Sequence, residues 1–166
     1  GLVNITATTT NLNALNGVGT VVDPLETTVG TLNATATTGG IYLAETDAVI
    51  LGVLNAAGSL AVSNAAGDMT VNSVTFGPAA TGTLTSAAGA ILDGNAGAVN
   101  ITGGTVTFSA LNDIGTALDP LDLNVGTLNA TSTAGGLYAS WGNAMTLGVI
   151  NVATELNLTQ TAGDMT

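Results

Sequence analysis

The stretch that decides the fold is Val29–Thr35, VGTLNAT, which returns letter for letter as Val125–Thr131. The two stretches lie 96 positions apart, and the same offset aligns residues 1–70 with residues 97–166 without a gap. More than half of the aligned pairs are identical. The chain is therefore a tandem repeat, with a first copy over residues 1–96 and a partial second copy over residues 97–166. We expect the copies to form one continuous domain that belongs to a longer array.

The charge balance excludes several classes of partner. The chain has no Lys, Arg or His and 11 acidic residues, so its formal charge at neutral pH is −11. Binding to nucleic acid and to anionic lipid headgroups both depend on basic side chains. The longest apolar run, Ala48–Leu54, is far shorter than the roughly 18 residues that cross a bilayer. We therefore expect neither nucleic-acid binding nor membrane insertion.

Apolar residues recur at a regular interval after the first VGTLNAT stretch. The leading apolar residues follow one another at steps of nine or ten and are Leu32, Ile41, Leu51, Leu60 and Met69. Apolar and polar residues alternate around them, as in strands, and no segment has the apolar stripe of an amphipathic helix. Two steps make a coil of about 19 residues, so one copy holds about five coils. This pattern predicts an all-β fold, a parallel β-helix, and an immunoglobulin-like sandwich fits it less well.

Three short phrases carry a resemblance to a known family. Gly58–Val62, Gly67–Val71 and Gly82–Thr85 resemble the repeats of filamentous-haemagglutinin-like and autotransporter-type bacterial surface proteins. The resemblance implies a right-handed parallel β-helix that forms an extracellular stalk or filament at the cell surface and serves a structural or adhesive role. Unpaired strand edges at the ends of a solenoid favour pairing with another chain, so we expect copies of the same chain as partners, end to end or laterally. Host or matrix glycans are further candidate partners.

Catalytic groups are scarce. With no His, Cys or Lys, only carboxylates could act as acid or base, and the pairs Asp23/Glu26 and Asp119/Asp122 recur beside an Asp-Pro turn. Two carboxylates could serve a glycosidase, although an Asp that caps its own turn explains the same pattern. We expect no enzymatic activity and no cofactor other than calcium.

Calcium prefers several oxygen ligands, which the acidic residues near the Asp-Pro turns could supply. Neither an EF-hand loop nor the glycine- and aspartate-rich nonapeptide occurs, and loose counter-ion binding is the alternative. The weak candidates are Asp23, Glu26, Asp113, Asp119 and Asp122.

Asn-x-Thr triplets could accept N-linked glycans, although a chain rich in Asn and Thr produces such triplets by composition. These weak glycosylation candidates are Asn4, Asn33, Asn100, Asn129 and Asn157.

Two kinds of exposed row could bind a ligand. Thr-x-Thr pairs on a flat solenoid face would suit ice binding, but nothing equivalent lies between Thr37 and Thr81, so the pairs do not recur once per predicted coil. Tyr42, its equivalent Tyr138 and the nearby Trp141 could form a carbohydrate platform, or they could fill corners and core. Ligand binding by a β-solenoid, to ice, calcium or carbohydrate, is thus the alternative to a structural role.

Overall fold

The computed structural model describes residues 2–166 and consists of parallel β-strands joined in one sheet. No helix occurs in this part of the chain, so it holds no helix that could cross a membrane. The strands are β1 (Ile5–Ala14), β2 (Leu25–Ala36), β3 (Ile41–Glu45), β4 (Val49–Ala56), β5 (Leu60–Asn64), β6 (Met69–Thr75), β7 (Thr81–Ser86), β8 (Ile91–Asp93), β9 (Ile101–Ala110), β10 (Leu121–Ser132), β11 (Leu137–Trp141), β12 (Thr146–Val152) and β13 (Leu156–Gln160).

The strands stack along two tracks, which we name A and B. Track A holds residues 25–27 of β2, then β3, β5 and β7, residues 105–110 of β9, residues 127–132 of β10, and β12. Track B holds residues 31–36 of β2, then β4, β6 and β8. It continues with residues 101–103 of β9 and residues 121–125 of β10, and it ends with β11 and β13. The chain passes from one track to the other as it winds. This arrangement confirms the predicted parallel β-solenoid.

The length of a turn differs from the predicted 19 residues. The solenoid has about 7 turns with a spacing of about 22 residues. Stacked residues are 18 to 20 positions apart from β2 to β6 and again from β10 to β13. Between β6 and β10 the spacing rises to values between 22 and 27. The prediction was therefore correct for the compact turns and too short for those that carry inserted loops.

The two sequence copies do not lie above each other. Five turns lead from Thr27 along track A to Ser132. The sequence equivalent of Thr27 is Leu123, which lies on track B, where it pairs with Ile101 and Trp141. One copy of 96 residues therefore covers about four and a half turns, and the second copy starts on the track opposite to the first.

The core lies between the two tracks. The five leading apolar residues of the first copy, Leu32, Ile41, Leu51, Leu60 and Met69, are at most 1% exposed. Alternation places every second side chain of a strand inward, and stacking puts it over its counterpart one turn away. Full burial of one such side chain contributes about 1.5 to 3 kcal/mol. The stability of the solenoid therefore accumulates with each added turn.

The predicted Asp-Pro turns are short loops that leave a track and return to it. Val18 pairs with Ile41 and Leu25 pairs with Leu43, so the six residues 19–24 stand where the next turn has one residue. The loop starts at Gly19, whose φ is +63° and where a Cβ would lie 2.3 Å from the Tyr42 carbonyl oxygen. Gly115 repeats this geometry on track B with φ +69°. Only glycine tolerates both this backbone conformation and this contact.

Candidate binding surface and the predicted sites

Three consecutive strands of track A present a regular array of hydroxyl groups, which we name the hydroxyl face. Side chains at every second position of β7, β9 and β10 point outward, and the register aligns them in three columns. The face consists of Thr81, Thr83 and Thr85 on β7, Thr105, Thr107 and Ser109 on β9, and Thr127, Asn129 and Thr131 on β10. Each of the nine residues is exposed or half-buried.

The eight hydroxyls of this face make no side-chain hydrogen bond to the described chain. Asn129 is the one member that is engaged, since its Oδ1 accepts a bond from the Val149 amide at 2.9 Å. Neighbouring hydroxyls are separated by about 4.8 Å across the strands and about 6.6 Å along them. The hydroxyl face can therefore offer hydrogen bonds to an external partner at regular intervals.

The prediction that Thr pairs do not recur once per coil is wrong for this part of the chain. The pairs on β7 and β9 are 24 residues apart, and those on β9 and β10 are 22 apart. A search at the predicted interval of 19 residues misses both steps. The longer turns, not the residues themselves, bring the pairs into columns.

Track B has no comparable array. Between β2 and β4 the register shifts at a bulge, where Asn33 Oδ1 accepts a hydrogen bond from the Val53 amide at 2.8 Å. Ile50 and Val53 are 41% and 56% exposed on this side. Its outward surface is therefore mixed, with apolar side chains between polar ones.

A column of buried polar residues runs along the end of track A. It contains Thr27, Glu45, Asn64, Ser86 and Ser132, all at most 3% exposed. The Glu45 carboxylate accepts hydrogen bonds from Thr27 Oγ1 at 2.6 Å and from the amides of Val29 and Thr46 at 3.0 Å. Buried polar groups persist when they are hydrogen-bonded in this way. Glu45 therefore closes a corner of the solenoid and is inaccessible to a ligand.

The five calcium candidates are not gathered into one site. No group of three or more acidic side chains that could hold a metal occurs in residues 2–166. Asp23 and Asp119 lie exposed in the two inserted loops, and the turn is held by the hydroxyls of Thr20 and Thr116, which accept from the Asp amides at 3.0 Å. The expected cap thus comes from threonine and not from aspartate.

The carboxylates of Asp113 and Asp122 are engaged with neighbouring turns, whereas Glu26 is engaged only through its backbone amide. Asp113 Oδ1 accepts a hydrogen bond from the Gly136 amide at 2.7 Å, and Asp122 accepts one from Ser140. The Glu26 amide donates to Asn4 Oδ1 at 2.9 Å, and Glu26 itself is half-buried. These residues join turns to one another.

Most of the Asn-x-Thr asparagines also form internal hydrogen bonds. Asn4, Asn33 and Asn129 accept bonds from backbone amides of a neighbouring turn. Asn100 is fully buried. Asn157 on β13 is exposed and has no side-chain hydrogen bond in the described chain, so it is the most accessible of the five.

The three aromatic residues of the predicted carbohydrate platform do not share a surface. Trp141 is 3% exposed and belongs to the core, so it cannot contribute to a carbohydrate platform. Tyr42 is half-buried in a shallow groove beneath Val21 and Pro24 of the first loop. The Tyr138 hydroxyl donates to Glu155 at 3.3 Å, and its pKa is raised above the ordinary 10.0 by partial desolvation, then by the negative charges of Glu155 and Asp113.

One loop that the sequence analysis did not single out contains unusual oxygen atoms. Asp93 Oδ2 and Asn95 Oδ1 are shielded from solvent and have no hydrogen-bond partner within residues 2–166. They stand in the segment Asp93-Gly94-Asn95, whose Asp-x-Asn spacing was the available signal. Asn100, at the other end of this loop, donates to Asp93 Oδ1 at 2.7 Å.

Comparison with protein-family models, with curated proteins and with solved structures finds no match to this chain.

Proposed function

We propose that this chain is a structural and adhesive repeat segment of an extracellular microbial fibre or surface stalk, and that it performs no catalysis. The observation that carries the proposal is the single sheet of thirteen parallel strands, which continues from the first copy into the second. In such a fold each added repeat contacts only its neighbours, so length grows without a change of architecture.

The half-turn offset between copies supports a role in display. The loop at residues 19–24 leaves track A and the loop at residues 115–120 leaves track B. Val22 and Leu118, at equivalent positions in these loops, are 92% and 98% exposed. A longer array would present such loops alternately on two sides. We propose that these tips contact other copies of the chain laterally, or glycans of a host or matrix.

The proposal is tested with arrays of one, two and four 96-residue repeats. At about 4.8 Å per turn, each repeat of four and a half turns adds about 22 Å. Electron microscopy should show rods whose length rises in equal steps at constant width. Compact particles whose diameter grows with repeat number would contradict it.

The hydroxyl face favours a second candidate, binding to ice. Ice presents a regular lattice of oxygens, and threonine offers a hydroxyl and a methyl group on a stiff side chain. The face repeats in two directions and its hydroxyls are not consumed by internal hydrogen bonds. The candidate depends on these nine residues and not on the rest of the surface.

Ice binding is tested by thermal hysteresis and ice-crystal shape. Thr107 stands at the centre of the hydroxyl face, so Thr107→Lys should abolish both effects. Thr75→Lys is the matched control, because Thr75 is an exposed residue of β6 on track B. Equal activity in both variants, or none in the unmodified protein, would reject this candidate.

A further inference from the structure

The loop between β8 and β9 contains two of the four buried polar side-chain atoms that lack a partner in residues 2–166. They are Asp93 Oδ2 and Asn95 Oδ1, only two positions apart in the chain. The other carboxylate oxygen, Asp93 Oδ1, accepts bonds from the Asn95 amide at 2.6 Å and from Asn100 Nδ2 at 2.7 Å. Asp93 Oδ1 therefore has two hydrogen-bond donors, whereas Asp93 Oδ2 has none within residues 2–166.

No side chain of this protein can neutralise Asp93, because the sequence has no Lys, Arg or His. A shielded polar atom without a partner costs about 1 to 3 kcal/mol, and more when it is charged. Two such oxygens in one short loop can therefore accept an external ligand. The formal charge of −11 adds a general attraction for cations.

The surroundings hold the loop in place. Asn100 is 0% exposed, and its Oδ1 accepts a hydrogen bond from the Asp122 amide at 2.7 Å while its Nδ2 also donates to the Val71 carbonyl at 2.8 Å. The Gly94 amide donates to the same Val71 carbonyl at 3.0 Å, and the Asn95 amide group donates to the Asn72 carbonyl. The side-chain oxygens are therefore positioned before a ligand arrives.

We propose that the Asp93–Gly97 loop binds a calcium ion through Asp93 Oδ2 and Asn95 Oδ1. Calcium accepts carboxylate, amide and backbone carbonyl oxygens together with water. The carbonyls of Ala96 and Gly97 accept no hydrogen bond from the described chain and can complete the set. With a single carboxylate, the dissociation constant falls on the order of 10⁻⁴ to 10⁻³ M, the range of extracellular modules.

The groove next to the proposed site contains a spectroscopic probe. Trp141 is the single tryptophan of the chain, and it lines the same groove as Gly97 and Val99. Terbium(III) occupies calcium sites and emits when a nearby tryptophan is excited. Titration of the full chain with terbium should give saturable emission that calcium displaces and that equal ionic strength of sodium does not.

Two substitutions move the signal in opposite directions. Asp93→Asn removes the charge and should reduce terbium and calcium affinity at least tenfold, whereas Asn95→Asp adds a carboxylate and should raise affinity about tenfold. Asp47→Asn, which removes an exposed acid elsewhere, is the matched control and should bind as the unmodified protein does. Circular dichroism of each variant verifies that the solenoid is intact.

Three results would overturn the proposal. The first is the absence of saturable emission, which would leave only a buried water at these oxygens. The second is an unchanged affinity in both Asp93→Asn and Asn95→Asp. The third is a loss of binding in Asp122→Asn with Asp93→Asn unaffected, which would move the ion to the neighbouring groove lined by Asp122 and Ser140.

Discussion

At one pair of stacked positions the first copy of the repeat has polar side chains and the second copy has apolar ones. In the first copy Thr27 stacks on Glu45, and the carboxylate accepts three hydrogen bonds in a fully buried position. In the second copy the equivalent pair is Leu123 and Trp141, which stack in the same register. Trp141 Nε1 is shielded there and has no acceptor in the described part of the chain. Both members of the pair are therefore polar in the first copy and apolar in the second.

This difference shows what the corner requires. A buried polar group is tolerated when every donor and acceptor is matched, and an apolar group of suitable size can replace the whole set. The next position of the column keeps its function in both copies, because Asn64 and Gln160 each donate to a carbonyl in the bend of the preceding turn. The acceptors are Asp47 at 2.9 Å and Asn143 at 3.1 Å. The corner is therefore specified by complementarity between turns and not by one residue type.

The largest expected effect comes from Glu45→Ala. The change removes the carboxylate that accepts from the Thr27 hydroxyl and the Val29 amide, while the Thr46 amide keeps the Thr27 carbonyl as an acceptor at 3.1 Å. It also opens a cavity, so the free energy of unfolding should fall by about 3 to 5 kcal/mol. Urea unfolding followed by circular dichroism measures it. Asp47→Ala, at an exposed acid two positions away, should change stability by less than about 0.5 kcal/mol. Similar losses in the two variants would mean that Glu45 has no special role.

The apolar corner should be transferable to the first copy. Glu45→Trp alone leaves Thr27 facing an indole, whereas the pair Thr27→Leu and Glu45→Trp reproduces the second copy. In a double-mutant cycle the coupling should be favourable by about 1 to 3 kcal/mol. Strict additivity of the two changes would show that the residues do not act as a pair.

Two repeat-equivalent asparagines make the same hydrogen bond, one in a buried and one in an exposed position. Asn100 is fully buried with three hydrogen-bond partners, whereas its equivalent Asn4 is exposed and accepts one bond. Asn100→Ala should destabilise by about 2 to 3 kcal/mol and Asn4→Ala by less than about 1 kcal/mol. Chemical denaturation of both variants checks the order, and a reversed order would contradict it.

Trp141→Phe should have a small effect. It removes an unsatisfied indole N–H and some packing volume at once, so the net change in unfolding free energy should stay within about 1.5 kcal/mol. A much larger loss in thermal or chemical unfolding would indicate that the indole N–H has a partner.

The smallest effect concerns the equivalent tyrosines. In a Tyr42→Phe background the only phenol is Tyr138, so absorbance titration should report a pKa above 10.0, and Glu155→Gln should lower it. Since the folded pKa is raised, this contribution to stability is present below pH 10.0 and disappears as the pH rises through the raised value. A titration that Glu155→Gln leaves unchanged would contradict the contact.

Residue patterns predicted the strands well and the turns poorly. Leu32, Leu51 and Met69 are recognisable as leading apolar residues of strands, because alternation and the nine- to ten-residue step are local features of the sequence. The hydroxyl face was missed because it depends on how many residues the inserted loops add between stacked strands. The oxygens of Asp93 and Asn95 were missed because shielding from solvent is a property of the folded loop.

Spin labels on the hydroxyl face test the register directly. Thr85→Cys and Thr131→Cys lie two rungs apart on track A, at about 10 Å, although 46 residues separate them in the sequence. The repeat-equivalent pair Thr35→Cys and Thr131→Cys lies on different tracks and about 22 Å apart along the axis alone. We predict strong dipolar broadening for the first pair and none for the second. Absence of broadening in the first pair, or its presence in the second, would contradict the solenoid register.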